Sequence, residues 1–161
     1  MNKVLYGGLS AIEGITPSIH TFFDVHLICN DDKIKWENLE FSLVKTVHVK
    51  TTSGIMPSYG LFITYGSHHI FITTDTQFSP DLMHSFYLQA DIIFHDCETT
   101  ATLSGVHSRF EELCTLPPDI KAKMWLYHYN SGKLPDAKNK GFLGYVKKGQ
   151  FFDFINNKNL Y

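Results

Sequence analysis

The chain has 161 residues, 43% of them hydrophobic and 19% charged, which is enough for one globular core and short for two. Lys+Arg 14 against Asp+Glu 16 leave a formal net charge of -2, so no broad basic field exists to drive sequence-indifferent binding to nucleic acid. No apolar run approaches the roughly 20 residues of a membrane span, and the expectation is a cytoplasmic protein with no membrane partner. Cys29, Cys97 and Cys114 show no C-x-x-C pairing, which argues against a disulfide framework and a thiolate zinc knuckle. Nine histidines are the unusual entry in the composition, and histidine supplies metal ligands and proton shuttles.

In chain order, Thr16 to Val25 reads as a short helix, followed by a polar Asn30-Asp31-Asp32-Lys33 turn. Phe41, Leu43, Val44, Val47 and Val49 form a β-branched and aromatic run without helical spacing, a strand ending near His48. Thr51 to Gly54, with Pro57, reads as loop. Leu61 to Tyr65 and His69 to Thr73 flank Gly66-Ser67 as a hairpin. Ser79, with Pro80 at the first helical position, is expected to cap a helix through Leu88. Ala90 to Phe94 is a short buried-type strand that delivers His95 and Asp96. Ser108-x-x-Glu111 has the pattern of a capping box. A further helix opens at Pro118, Met124 to Tyr127 is a strand ending at His128, and Gly141 to Phe154 reads as a closing strand pair before a polar tail, 156–161.

Strands thus stop at His48, Asp75, His95-Asp96 and His128, with His107 in a loop before a helix. Side chains at strand ends can converge on one sheet edge, where the backbone fixes them and water still enters, as a metal or acid-base site requires. His20 and His26, spaced among apolar residues, read as structural or surface residues.

In this order, the segments Val47-His48, Ser58 to Phe62, Thr74-Asp75-Thr76, Ala90 to Asp96, Gly105-Val106-His107-Ser108 and Leu126-Tyr127-His128-Tyr129 resemble the C-terminal half of the metallo-β-lactamase fold. The similarity is to its ribonuclease Z-like and phosphodiesterase-like branch. The resemblance implies an α+β fold, half of an αββα sandwich, with a mostly antiparallel sheet and short helices, in one partial domain over 1–161. It implies His48 and His128 as ligands of two divalent metals and Asp75 as their bridge. His107 would protonate a leaving alkoxide, supported by the His95-Asp96 pair. Zinc is the first expectation for the metal, with manganese or iron as alternatives. Thr74 stands where that family usually has glycine, and Asp96 is one methylene shorter than its usual glutamate.

The family's H-x-H-x-D-H motif does not occur in the sequence. A catalytic zinc takes roughly three protein ligands, so the residues above leave both sites short. The expectation is phosphodiester hydrolysis, of a cyclic nucleotide or an RNA 3′ end, once a separate N-terminal half or a second copy in a homo-oligomer completes the site. A small phosphodiester or nucleotide substrate is favoured over nucleic acid by the near-neutral charge. The alternative is a truncated, metal-free remnant serving as a binding module.

Overall fold

The computed structural model describes residues 14, 17–29 and 32–154, with 158–160 as backbone. Elements follow as α1 (Ile19–Phe22), β1 (Lys33–Trp36), β2 (Leu39–Thr51), β3 (Gly54–Tyr65), β4 (His68–Ile72), α2 (Pro80–Gln89) and β5 (Ile92–Asp96). Then come α3 (Phe110–Leu113), α4 (Pro118–Lys121), β6 (Met124–Tyr127), a 3-10 turn (Lys138–Lys140), β7 (Gly144–Tyr145), β8 (Phe151–Asp153) and β9 (Lys158–Leu160). Helix α1 lies inside the stretch expected to be helical. Thr16, the Asn30-Asp31 half of the turn, and residues 156, 157 and 161 of the tail lie outside the described residues.

β1 to β7 form one sheet in sequence order. The pairings from β1 to β4 are antiparallel and those from β4 to β7 parallel. The α+β class is as expected, and the largely antiparallel sheet turns parallel in its second half. The reason is that α2, and then α3 with α4, carry the chain back across the sheet, and such crossovers set strands parallel. The closing strand pair is not formed as expected: β7 joins β6 at the sheet edge, while β8 pairs with β9. No described helix is long and apolar enough to cross a membrane.

The β2–β3 hairpin is longer than its sequence suggests, because Gly54 to Pro57 continue the strand. Pro57 pairs with Val47 and the next pair is Met56 with Val49, so the register shifts around His48. A bulge of this kind accommodates a proline and turns the extra residue out of the regular alternation. At Gly60 the strands approach so closely that an added Cβ would lie 2.8 Å from the Ile72 carbonyl oxygen and 3.1 Å from that of Thr73. Gly60→Ala is therefore expected to cost about 1–3 kcal/mol of stability. Urea unfolding checks this, and an unchanged midpoint would contradict the close approach.

Strand alternation sorts the core into two faces. Val44, Phe62, Phe71, Ile93, Met124 and Leu126 meet Met83 and Tyr87 of α2, together with Phe110, Leu113 and Ile120. The opposite face carries Ile63, Ile70, Ile72, Ile92, Phe94 and Trp125, and Phe152 and Phe154 pack on it. Phe152 sets its ring edge-on to Phe94 at 4.9 Å and to Trp125 at 5.4 Å.

Two helix starts differ from the sequence pattern. Ser79 occupies the N-cap of α2 with Pro80 inside the first turn, but its side chain makes no cap bond. The capping glutamate of α3 is Glu112, which accepts the Arg109 backbone N–H at 2.9 Å. Ser108 instead donates its hydroxyl to the Thr76 carbonyl. The helix opens one residue later than the pattern implies, with Arg109 as its N-cap.

Candidate metal centre

β4, β5 and β6 run parallel, and the chain leaves their C-terminal ends through Thr74-Asp75, Asp96 and His128. Such ends are where open sheets gather functional side chains. Two non-glycine residues flank the centre in left-handed backbone, Thr74 (φ 53) and His128 (φ 62). For Thr74 this accounts for the glycine of the resembling family, since glycine takes that region without a Cβ penalty. Thr74 is held there by its Oγ1, which donates to the Tyr59 carbonyl at 3.0 Å and lies 2.8 Å from Ser58 Oγ.

Asp75, Asp96, His107 and His128 each offer one ligand atom, all within 4.8 Å of one another. Asp96 is fully buried and is the hub. Its Oδ2 accepts the Thr76 backbone N–H at 2.9 Å and the His107 Nδ1–H at 2.7 Å. Its Oδ1 lies 3.2 Å from His128 Nδ1, which is also 3.2 Å from Asp75 Oδ1. Burial pushes the Asp96 carboxyl above its ordinary range, against the opposing pull of the Thr76 N–H and of His107. The His107 and His128 rings meet edge to face at 4.5 Å.

Two expected members lie differently. His48, the bulge residue of β2, is outside the four-residue cluster; its Nδ1–H donates to the Val106 carbonyl at 3.2 Å and its ring lies 5.6 Å from that of His107. His95 is not brought to the site at all. Adjacent strand residues face opposite ways, so Asp96 at the cluster places His95 in the helix-side core. There Nδ1–H donates to the Asp96 carbonyl, and Nε2 accepts the Tyr87 hydroxyl, both at 2.7 Å. His20 and His26 are exposed, as expected.

Burial pulls the His95 imidazole down to about 4. A buried neutral histidine binds fewer protons than its unfolded counterpart between about pH 6.5 and pH 4, so stability falls as pH drops through that window. The loss from this group between pH 7 and pH 5 is about 2 kcal/mol. Urea unfolding of wild type and His95→Gln at both pH values isolates it. Equal pH slopes for the two proteins would contradict the buried neutral ring.

Three residues that no sequence pattern singles out fix the site loops. Glu98 accepts the Ser104 N–H with its carboxylate, at 3.1 and 3.3 Å. Asn130 Oδ1 accepts the Thr99 and Thr100 N–H groups, and the Asn130 N–H returns a bond to Thr99 Oγ1. Gln77 bonds to the β2 bulge and to the loop at Gly105. None of the three stands in a recognisable pattern, because their partners are backbone atoms distant in sequence.

The cluster fits a divalent metal. Two carboxylates and two imidazoles are the donor types that suit zinc or manganese, and among the described residues no Lys or Arg forms an ion pair with either carboxylate.

A family profile described as anti-Pycsar protein Apyc1 matches residues 1–152. The anti-Pycsar protein Apyc1 of Paenibacillus sp. (strain J14) is 31% identical over 131 residues, 80% of this chain and 50% of that protein. That of Bacillus phage vB_BsuM-Goe3 is 28% identical over 160 residues, 92% of this chain and 59% of that one. The chain spans about half the length of the curated relatives it matches. Among solved structures, the metallo-β-lactamase fold protein YhfI from Bacillus subtilis is similar with a TM-score of 0.57 and 22% identity, over 74% of this chain and 49% of that one. The expected fold is therefore shown, and the family that matches is one the motifs did not name. The chain belongs to the anti-Pycsar protein Apyc1 family.

Proposed function

We propose that this chain carries one part of a metal-dependent phosphodiesterase site whose substrate is a cyclic nucleotide. The observation that supports this most directly is the gathering of Asp75, Asp96, His107 and His128 at the ends of three parallel strands. Asp75, His128 and His48 would hold the divalent ions, with zinc the first choice for this donor set. A bound divalent ion acidifies water and neutralises phosphodiester charge. The residues of the chain do the rest. Asp96 fixes Nδ1–H of His107, which leaves Nε2 to hand a proton to the leaving alkoxide. The same carboxylate backs His128, the arrangement that orients an imidazole ligand from behind.

The reading makes 1–161 a single, partial domain, active in the cytoplasm. Its ligands fall short of the roughly three per ion that a catalytic site needs, so a separate N-terminal half or a second copy supplies the remainder. A cyclic nucleotide is preferred to an RNA 3′ end because the net charge is -2 and the relatives are named for opposing Pycsar.

Elemental analysis of the purified chain, with its mass in solution and assays on cyclic mononucleotides and an RNA 3′ end, tests the proposal. The expected result is bound zinc or manganese and hydrolysis of the cyclic substrates. A metal-free, inactive chain would mean an incomplete half that lacks its N-terminal partner, and one that stays metal-free and inactive with that half supplied would favour the non-catalytic binding module.

A further inference from the structure

Three segments bring side chains to the centre without a shared element: the β2 bulge with His48, the loop after β4 with Asp75, and the loop after β5 with His107. Something has to fix their spacing, because independently mobile loops leave a ligand set poorly preorganised. Gln77, two residues after Asp75, contacts both of the other segments. Its backbone N–H donates to the Val47 carbonyl at 2.7 Å. Its carboxamide Nε2 donates one hydrogen to the His48 carbonyl at 2.9 Å and the other to the Gly105 carbonyl at 2.7 Å. Both amide hydrogens are thus used, one on each neighbouring segment, and a primary amide offers two donors from one uncharged nitrogen. One residue beyond Gly105, the Val106 carbonyl accepts the His48 Nδ1–H. The β2 bulge and the His107 loop are therefore tied twice, once directly through the His48 ring and once through Gln77.

We infer that Gln77 is a positioning residue that sets the separation of His48, Asp75 and His107. It touches none of the three side chains and acts through the backbone that carries them. The direct His48–Val106 bond alone would not do this, since a ring that serves as a ligand needs its orientation fixed by a partner that is itself fixed. Gln77 fixes the loop that carries the Val106 carbonyl. The inference rests on the metal reading only for its effect on ligand binding; its effect on loop order stands without it.

The test uses Gln77→Met, which keeps the length of the side chain and removes both donors, and Gln77→Asn, which keeps the amide but shortens its reach. Zinc affinity, read by competition with a chromophoric chelator, is expected to fall roughly tenfold or more in Gln77→Met and less in Gln77→Asn. Amide hydrogen exchange over 103–107 is expected to rise by roughly tenfold, with β5 and β6 unchanged. A merely structural role would instead lower the melting temperature and loosen β5 and β6 equally, without a selective change in zinc affinity. If Gln77→Met does not fold, Gln77→Asn carries the same comparison. Unchanged exchange over 103–107 in a folded variant overturns the inference. If wild type takes up no zinc, the proposed function fails on its own, and the exchange measurement still decides the role of Gln77.

Discussion

Asp75→Ala is expected to lower the affinity for zinc by roughly 100-fold or more and to bring diesterase activity below detection, with little change in folding stability. Asp75 lies in the turn after β4, its carboxylate half-exposed and 3.2 Å from His128 Nδ1. Its backbone is set by neighbours and not by its own side chain: Thr74 anchors to Ser58 and Tyr59, and the Thr76 N–H is held by Asp96. Removing the carboxylate therefore takes away the proposed ligand oxygens while the turn keeps its partners. Zinc titration followed by elemental analysis after dialysis checks the first effect, and urea unfolding the second. Full metal uptake by the folded variant would remove Asp75 from the ligand set.

Asp96→Asn also separates function from stability. The buried carboxylate is costly on its own, as its raised proton affinity shows, so replacing it by a neutral amide of equal shape is expected to leave stability unchanged or increase it. The amide oxygen can take the place of Oδ2, where it still accepts both the Thr76 N–H and the His107 Nδ1–H. Its nitrogen then takes the place of Oδ1 and presents hydrogens to His128 Nδ1, and that nitrogen can no longer be the donor. The His128 ring is forced to carry its proton on Nε2, the atom that would have to be free to hold a metal. Zinc affinity is expected to fall by roughly 10–100-fold, and activity with it. Nitrogen chemical shifts of the His128 ring would show the change of tautomer directly. A variant with wild-type zinc affinity and activity would mean that His128 does not depend on Asp96.

The cluster was legible because strand ends are. Asp75, Asp96 and His128 each follow an apolar β run, and parallel pairing of those runs brings their ends to one edge. His95 could have been separated from Asp96 by the same logic, since consecutive residues of a strand cannot share a face. The resemblance to a His–acid pair concealed that. The bulge at His48 was not legible: it depends on the register against Pro57 and Met56, which no local pattern specifies. Nor were β7 and β8, which at two and three residues are too short to show a period. The capping glutamate was misread by one position because Ser108 has a tertiary partner in Thr76 that sequence spacing does not reveal. The family profile, finally, matches residues 1–152, well beyond the short segments that carry the resemblance.

The loop between β5 and α3 has its two ends fastened together. The Glu98 N–H donates to the Ser108 carbonyl at 2.7 Å, the Phe110 N–H returns to the Glu98 carbonyl at 3.0 Å, and the Glu98 carboxylate holds Ser104. Residues 101–103, beyond these fastenings, are exposed. Closure of the loop thus does not depend on its tip, and added length there costs little, since chain entropy grows only logarithmically with contour. A fluorophore-binding tag or a short recognition peptide spliced between Ala101 and Leu103 would report on the chain from beside the edge that gathers Asp75, Asp96, His107 and His128, while leaving the His107 anchorage intact.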